Sequence, residues 1–425
     1  MKVMWPYSFN VDRELFVNEG SGRLVRITGT DPQLGPWEHV AFVPSPLPPT
    51  EPVLSGVTYR RVSAARAALA ALDATSRRLP NPRLLRTPSL RREAQATSAL
   101  EGTYAPFEEI LAADASNPLS ADLREVLNYV VMAEHAFAWV EEGRPLTISV
   151  LEELQGALVA GTPSGRRNPG QLRSEQVVVG RRDDADPRST PVHAARYIPP
   201  PPGHDLRAGM DLLLSWIGRH DPDVFDPVVA AAMAHYQFEA LHPFQDDNGR
   251  LGRLLIVVTL MLQKAIAEPT LTVSPWFEAR RSQYYDRLFA VSCAGDWDAY
   301  IRFFATGLEA SANETHAQLT ALIDVRQELR DIVQKSSLRA DSARRLIDYA
   351  VASPSFSVAE AAPALDLSPQ RTGKLVQQLV GLRVLAPIGD AQYARRFHAP
   401  RVWDVLLVRS RPASQTGLDP TAGSR

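Results

Sequence analysis

The chain has 425 residues, enough for two or three domains with cores of their own. Its net charge of -2 and pI near 6.5 argue against a protein that coats nucleic acid by bulk charge. A single cysteine, Cys293, excludes an internal disulfide, and no apolar run suits a signal peptide or a membrane span, so a cytoplasmic, non-membrane protein is expected.

Helical patterning runs from about Thr58 to Val333, and the periodicity predicts helices over 64–79, 121–141, 148–158, 206–220 and 297–333. Thr87-Pro88 reads as an N-cap followed by proline at the first helical position, with Gly102 as the stop of that helix. Proline clusters at 44–52 and 199–202 read as stiff connectors. Between the helices, Val177 to Val179 is β-branched and predicts a short strand, and the polar run 181–189 predicts a loop. A helix over 226–241 should end at His242-Pro243-Phe244, because proline disfavours helical geometry in the residue before it. Asn248-Gly249 then turns the chain, and Arg250 opens a second helix carrying Leu254, Leu255, Val258 and Leu262.

The segment joining those two helices holds the chemistry. It reads His242-Pro-Phe-Gln-Asp-Asp-Asn-Gly-Arg-Leu-Gly-Arg253. Set on a helix N-terminus, its free N–H groups favour an anion. Arg250 and Arg253, three residues apart, share one face of the first turn and suit terminal phosphates. A neutral imidazole at His242 can accept a proton from an attacking hydroxyl. Asp246 can hold Mg²⁺ together with substrate phosphates, and Asn248 can donate to developing negative charge. No G-x-x-x-x-G-K-[ST] run is present, which removes a P-loop NTPase. His235, Glu239 and His242 fall on one helix face, but neither an H-x-x-x-H pair nor an added ligand accompanies them, so His235 and Glu239 read as packing residues.

This segment resembles the signature of Fic-domain proteins, H-P-F-x-D/E-G-N-G-R-x-x-R, and departs from it only at Asp247, where the pattern has glycine. The resemblance implies transfer of AMP from ATP to a Ser, Thr or Tyr hydroxyl of a target protein, which can be the enzyme itself. It makes His242 the general base and Asp246 the Mg²⁺ ligand. Asn248 and Gly249 become the anion hole, Arg250 and Arg253 the clamp on the β- and γ-phosphates, with Asp247 and Gly252 in the same nucleotide-binding loop. An inward carboxylate at Asp247 would repel pyrophosphate, whereas an outward one would be harmless. Thr97-Ser-Ala-Leu-Glu101-Gly102 resembles the family's inhibitory motif, which sets Glu101 against Arg253 and withholds that arginine from the γ-phosphate. Trp37 to Pro49 looks like the family's entry segment; Arg173 to Gly180 with Tyr197 to Pro202 looks like the β-hairpin flap that clamps a target by strand addition. Tyr284 and Tyr285 are candidate adenine contacts.

From about Leu338 the character changes. Helices are expected over 343–351 and 357–365, and Ser368-Pro369 caps another over 370–382. Val384 to Ile388 and Tyr393 to His398 suggest two wing strands. This resembles a winged helix-turn-helix, and residues 338–411 carry eleven lysines and arginines against six acids. Arg371, Lys374, Arg395 and Arg396 are candidate phosphate contacts on DNA; dimerisation or packing on the core is the other use of such a module.

The expected fold is therefore mainly α, a Fic-type helical bundle with a β-hairpin flap followed by a winged helix-turn-helix. The expected division is 1–120 as N-terminal region with the inhibitory helix, 121–330 as catalytic core, 338–410 as winged helix and 411–425 as disordered tail. Two functions stay open: an autoinhibited adenylyltransferase using ATP and Mg²⁺, or a DNA-binding regulator whose Fic site holds nucleotide with little turnover. A homodimer that locks the inhibitory helix is a further expectation.

Overall fold

A computed structural model of the chain describes residues 13–77, 85–113, 118, 120–166, 168–219, 224–338, 341–389 and 395–408. The expected tail over 411–425 lies outside them. The chain divides into two compact units, residues 1–319 and 320–425.

The first unit opens on a hairpin that the helical reading missed. Strands β1 (Gly22–Asp31) and β2 (Gly35–Pro44) pair antiparallel, from Gly22 opposite Pro44 to Asp31 opposite Gly35. Asp31 Oδ1 accepts the N–H groups of Gln33 and Leu34, closing the turn that leads to Gly35 at φ +82°. Helix α1 (Gly56–Ser76) follows, its Ser55 cap accepting from Thr58 N. Helix α2 (Arg86–Leu100) starts one residue before Thr87, so Thr87 lies in the first turn and does not cap it. Gly102 at φ +93° ends that helix as expected.

Helices α3 (Phe107–Ala112), α4 (Ala121–Glu141) and α5 (Ile148–Leu158) come next, the last two with the bounds that periodicity gives. The flap is strand β3 (Val179–Arg181), a loop, the short helix α6 (Pro191–Ala194) and strand β4 (Ala195–Tyr197). Its strands pair antiparallel, and Phe42 N donates to Ile198 O, tying the flap exit to β2. The first strand begins two residues later than the Val177–Val179 reading. Side chains tie the stretch before it instead: Arg173 bonds Glu175 O and Pro200 O, and Gln176 bonds Pro199 O.

The centre of the unit is α8 (Pro227–Leu241) against α9 (Asn248–Leu262), reached through α7 (His204–Ile217). Nearly every residue of α8 and α9 is buried, the polar His235, Gln237, Arg250 and Arg253 along with the apolar ones. Around them pack α1, α2 and α4, then α10 (Ser274–Glu278) and α11 (Arg281–Ala294). Helix α2 is tied to two neighbours from its middle. Glu93 accepts from Ser274 N at the head of α10, and Arg91 donates to the carbonyls of Ile110 and Leu111. Helix α12 (Trp297–Lys335) is long and contains the unit boundary.

The second unit holds α13 (Asp341–Ala352), β5 (Phe356–Ser357), α14 (Val358–Leu365), α15 (Pro369–Gly381), β6 (Ala386–Ile388), β7 (Arg396–His398) and α16 (Pro400–Leu407). Its three-stranded sheet runs β5-β7-β6, antiparallel throughout. A capping box between Ser357 and Glu360 opens α14, and Ser368 caps α15 with Pro369 in the first turn. Leu346, Phe356, Leu365, Val376, Leu379, Phe397 and Leu406 form its core. Arg371 and Lys374 are exposed on α15. Arg396 is not available in the way the sequence reading supposed, because its guanidinium bonds Ser355 and Glu360. Among the described residues no helix is long and apolar enough to cross a membrane.

Candidate active site

Backbone geometry comes first. His242 ends α8 in the left-handed region at φ 48°, its N–H still bonded to Phe238 O. Pro243 cannot continue the helix, and Arg173 secures the corner: its Nε donates to His242 O (2.8 Å) and its N–H to Pro243 O (2.9 Å). The loop is then closed by one side chain. Asn248 Oδ1 accepts from Phe244 N and Asn248 Nδ2 donates to Phe244 O, both at 2.8 Å. The turn itself falls at Asp247, which caps α9 at φ 65°, while Asn248 and Gly249 already lie in the helix rather than forming the turn. Asn248 therefore spends side-chain hydrogen bonds on holding the loop, and the anion-facing donors left at this end are backbone N–H groups of the first turn.

The two arginines are almost fully buried and each is held by acids. Arg253 Nη2 donates to Glu101 Oε1 at 2.6 Å and to Thr97 O at 3.0 Å, and its Nε donates to Thr97 Oγ1 at 2.7 Å. Arg250 Nη2 donates to Glu125 Oε2 on α4 and to Thr103 Oγ1, both at 3.0 Å, and its Nε lies 3.3 Å from Asp247 Oδ1. Burial raises the Glu101 carboxyl, but the neighbouring Arg253 outweighs it and holds Glu101 below the ordinary carboxylate value. Asp247 is buried at 7 % exposure, and that burial pushes its carboxyl up to about 7 against the pull of Arg250.

His242 faces a cavity of about 490 Å³. Glu101, Gly249, Arg253, Tyr236 and Ser292 line it too, together with residues of β3 and β4 of the flap. Burial and the nearby Arg173 push the imidazole down to about 4, so it is neutral at physiological pH. Its Nδ1 finds no hydrogen-bond partner among the described residues. Gly249 is glycine for a spatial reason: a Cβ there would overlap Glu101 Oε1. Gly252 likewise leaves room for Glu239 Oε1 and Phe238 on α8.

Asp246 is the exposed acid of the loop. Its Oδ2 accepts from Ser164 Oγ (2.5 Å) and its Oδ1 from Asp247 N (2.9 Å), so each oxygen keeps a lone pair. One such carboxylate fits the way Mg²⁺ is held, with phosphate oxygens and waters completing its shell. His235 cannot ligate metal, because Nδ1 meets Gly252 O (2.9 Å) and Nε2 meets Tyr284 OH (2.7 Å). That bond also corrects the tyrosine expectation: Tyr284 is turned into the core at 1 % exposure, and Tyr285 alone of the two lines the cavity. Sequence reasoning missed Glu125, Thr103, Ser164 and the tie from Arg173 to His242, all supplied from other elements.

Comparison with known families decides the relationship. Residues 59–138 match the Fic/DOC family N-terminal region, and residues 145–260 match the Fic/DOC family. The chain carries a Fic domain. The loop, both arginines and the flap lie within the matched Fic/DOC residues, and Thr97, Glu101, Thr103 and Glu125, which accept from the arginines, lie within the matched N-terminal region. It is similar to the protein adenylyltransferase Fic of Aedes aegypti, 37 % identical over 118 residues, which cover 28 % of this chain and 22 % of that one. The namesake from Culex quinquefasciatus is 37 % identical over 137 residues, covering 32 % and 26 %. The match thus spans about a quarter of the length of those relatives. A crystal structure of a Fic family protein from Desulfovibrio desulfuricans G20 shares the fold, with TM-score 0.51 and 20 % identity over 82 % of this chain and 98 % of that one.

Proposed function

We propose that this protein is an adenylyltransferase that uses ATP to modify a protein hydroxyl, and that its own α2 helix holds it in check. The observation that carries the reading is the 2.6 Å pair of Glu101 with Arg253 in the lining of the cavity that His242 also lines. His242, neutral at physiological pH, takes the proton of an attacking Ser, Thr or Tyr hydroxyl. The hydroxyl oxygen bonds the α-phosphorus as the bond to the bridging oxygen breaks, and pyrophosphate leaves. The backbone N–H groups at the head of α9 meet the negative charge, and Arg250 and Arg253 bind the departing phosphates. Asp246 would hold Mg²⁺, which supplies charge neutralisation on the phosphates. Tyr285 lines the wall where the base would lie. While Glu101 occupies Arg253, ATP lacks a γ-phosphate anchor and sits badly for in-line attack.

The test is labelled ATP with Mg²⁺, offered to the Glu101→Gly variant alone and with added cell extract. Label in the α-phosphate should stay on protein; retention of γ-label instead would make the reaction phosphoryl transfer and overturn the reading. The depressed His242 pKa adds a pH signature. Transfer by Glu101→Gly should be level through about pH 6.5 and fall only near or below about 4, since the base works neutral and protonates that low. Initial rates across that range check it, and a limb centred on the ordinary histidine value would contradict a buried base.

A second activity is favoured by exposed Arg371 and Lys374, one turn apart on α15 in a capped helix following α14. We read residues 338–410 as a winged helix-turn-helix whose α15 contacts DNA phosphates. The Arg371→Ala/Lys374→Ala variant should bind duplex DNA more weakly, with a salt dependence shallower by about two phosphate contacts. Titrations at several salt concentrations measure this. Equal slopes would leave the module to dimerisation or packing.

A further inference from the structure

The one departure from the signature, Asp247, sits where its carboxylate meets a phosphate-binding arginine. It is buried, it adopts φ 65°, and its side chain caps none of the α9 N–H groups. Its Oδ1 lies 3.3 Å from Arg250 Nε, while Glu125 Oε2 takes Arg250 Nη2 at 3.0 Å. Thr103 joins the same group, donating to Glu125 Oε2 at 2.7 Å and accepting from Arg250. Two carboxylates therefore face one guanidinium, whose Nη1 is buried with no hydrogen-bond partner among the described residues. With Glu125 already paired to Arg250, an incoming phosphate finds no surplus positive charge there, and where Asp247 is ionised it meets a second carboxylate at the head of α9.

We propose that Asp247 is a specificity-determining residue that disfavours nucleotides carrying a β-phosphate by neutralising Arg250. This deepens the adenylyltransferase reading and rests on it for the assignment of Arg250 to a phosphate. It acts separately from Glu101. Glu101 and Thr97 of the α2 segment hold Arg253, whereas Asp247, Glu125 and Thr103 hold Arg250. Freeing Arg253 alone leaves half of the phosphate clamp occupied. With both arginines neutralised from within, the resting site favours a nucleoside monophosphate over a triphosphate.

Asparagine is the informative replacement, since it tolerates the left-handed region and keeps the size while removing the charge. Calorimetry at about pH 8.5, above the value of about 7 to which burial pushes Asp247, would measure ATP with Mg²⁺, and AMP, on Glu101→Gly and on Glu101→Gly/Asp247→Asn. The double variant should bind ATP about tenfold more tightly than the single one, with AMP affinity unchanged. Asp247→Gly in the same background should reproduce that selective gain. Equal ATP affinity in the two variants would overturn the proposal. So would an equal gain for AMP, which would mean a reshaped pocket rather than a charge effect. Failure of the wider reading looks different: the selective ATP gain would be present while no variant retains α-phosphate label.

Discussion

Glu101→Gly should raise AMP transfer by about ten- to a hundredfold over the unmodified protein, the range expected when a hydrogen-bonded ion pair worth about 1.5–3 kcal/mol no longer competes with substrate. The pair is short at 2.6 Å, and Glu101 is the acid that occupies Arg253 in the cavity lining. Its side chain keeps 30 % exposure, so it can leave without unfolding the helix that carries it, whereas Arg253 at 1 % cannot move to solvent. The variant also removes the overlap that a ligand approaching Gly249 would meet, since Glu101 Oε1 fills the space beside that residue. A second consequence follows from the burial of Arg253. Without nucleotide, Glu101→Gly should melt earlier than the unmodified protein, because a buried guanidinium has lost its charged partner. ATP with Mg²⁺ should restore part of the difference by binding the folded state. Transfer rates and melting curves with and without nucleotide check both halves, and an unchanged rate would remove Glu101 from the regulation.

His242→Ala in the Glu101→Gly background should lower transfer by about 10²–10⁴-fold, the usual contribution of a positioned general base. The loss should fall on turnover more than on nucleotide affinity. The reason is in the corner: the backbone of His242 is held by Phe238 O and Arg173, so the loop keeps its shape when the imidazole goes. A parallel fall in ATP affinity would instead mean that the imidazole braces the loop. Steady-state kinetics beside direct nucleotide binding separates the two outcomes.

What the chain discloses before folding is uneven, and the reasons are physical. The segment from His242 to Arg253 is legible because its parts are contiguous and run from the end of one buried helix into the first turns of the next. Helices α4 and α5 are legible for a similar reason, with Ser120 and Thr147 capping clear apolar periods. Glu125 is not, since nothing on α4 marks the one acid that will meet Arg250 across the core. The choice between Tyr284 and Tyr285 depends on the phase of α11. Tyr285, Leu288, Phe289 and Ser292 recur at helical spacing on the cavity side, while Tyr284 and Val291 share the buried one. Adjacent tyrosines give no hint of that phase. The β1–β2 hairpin is obscured by glycines and charges in both strands and by prolines in the second, and its buried positions make sense only beside Val192, Ala195 and Ile198 of the flap. The orientation of Asp247 depends on a single left-handed residue, which sequence allowed but could not choose.

Intact-mass spectrometry after incubation with ATP and Mg²⁺ tests the central claim most directly, comparing the unmodified protein, Glu101→Gly and Glu101→Gly/His242→Ala. An AMP-sized adduct should be strong in the single variant, weak in the unmodified protein and absent from the double variant. An adduct equally strong in the unmodified protein would contradict restraint by Glu101, and one that persists without His242 would contradict its place as the base.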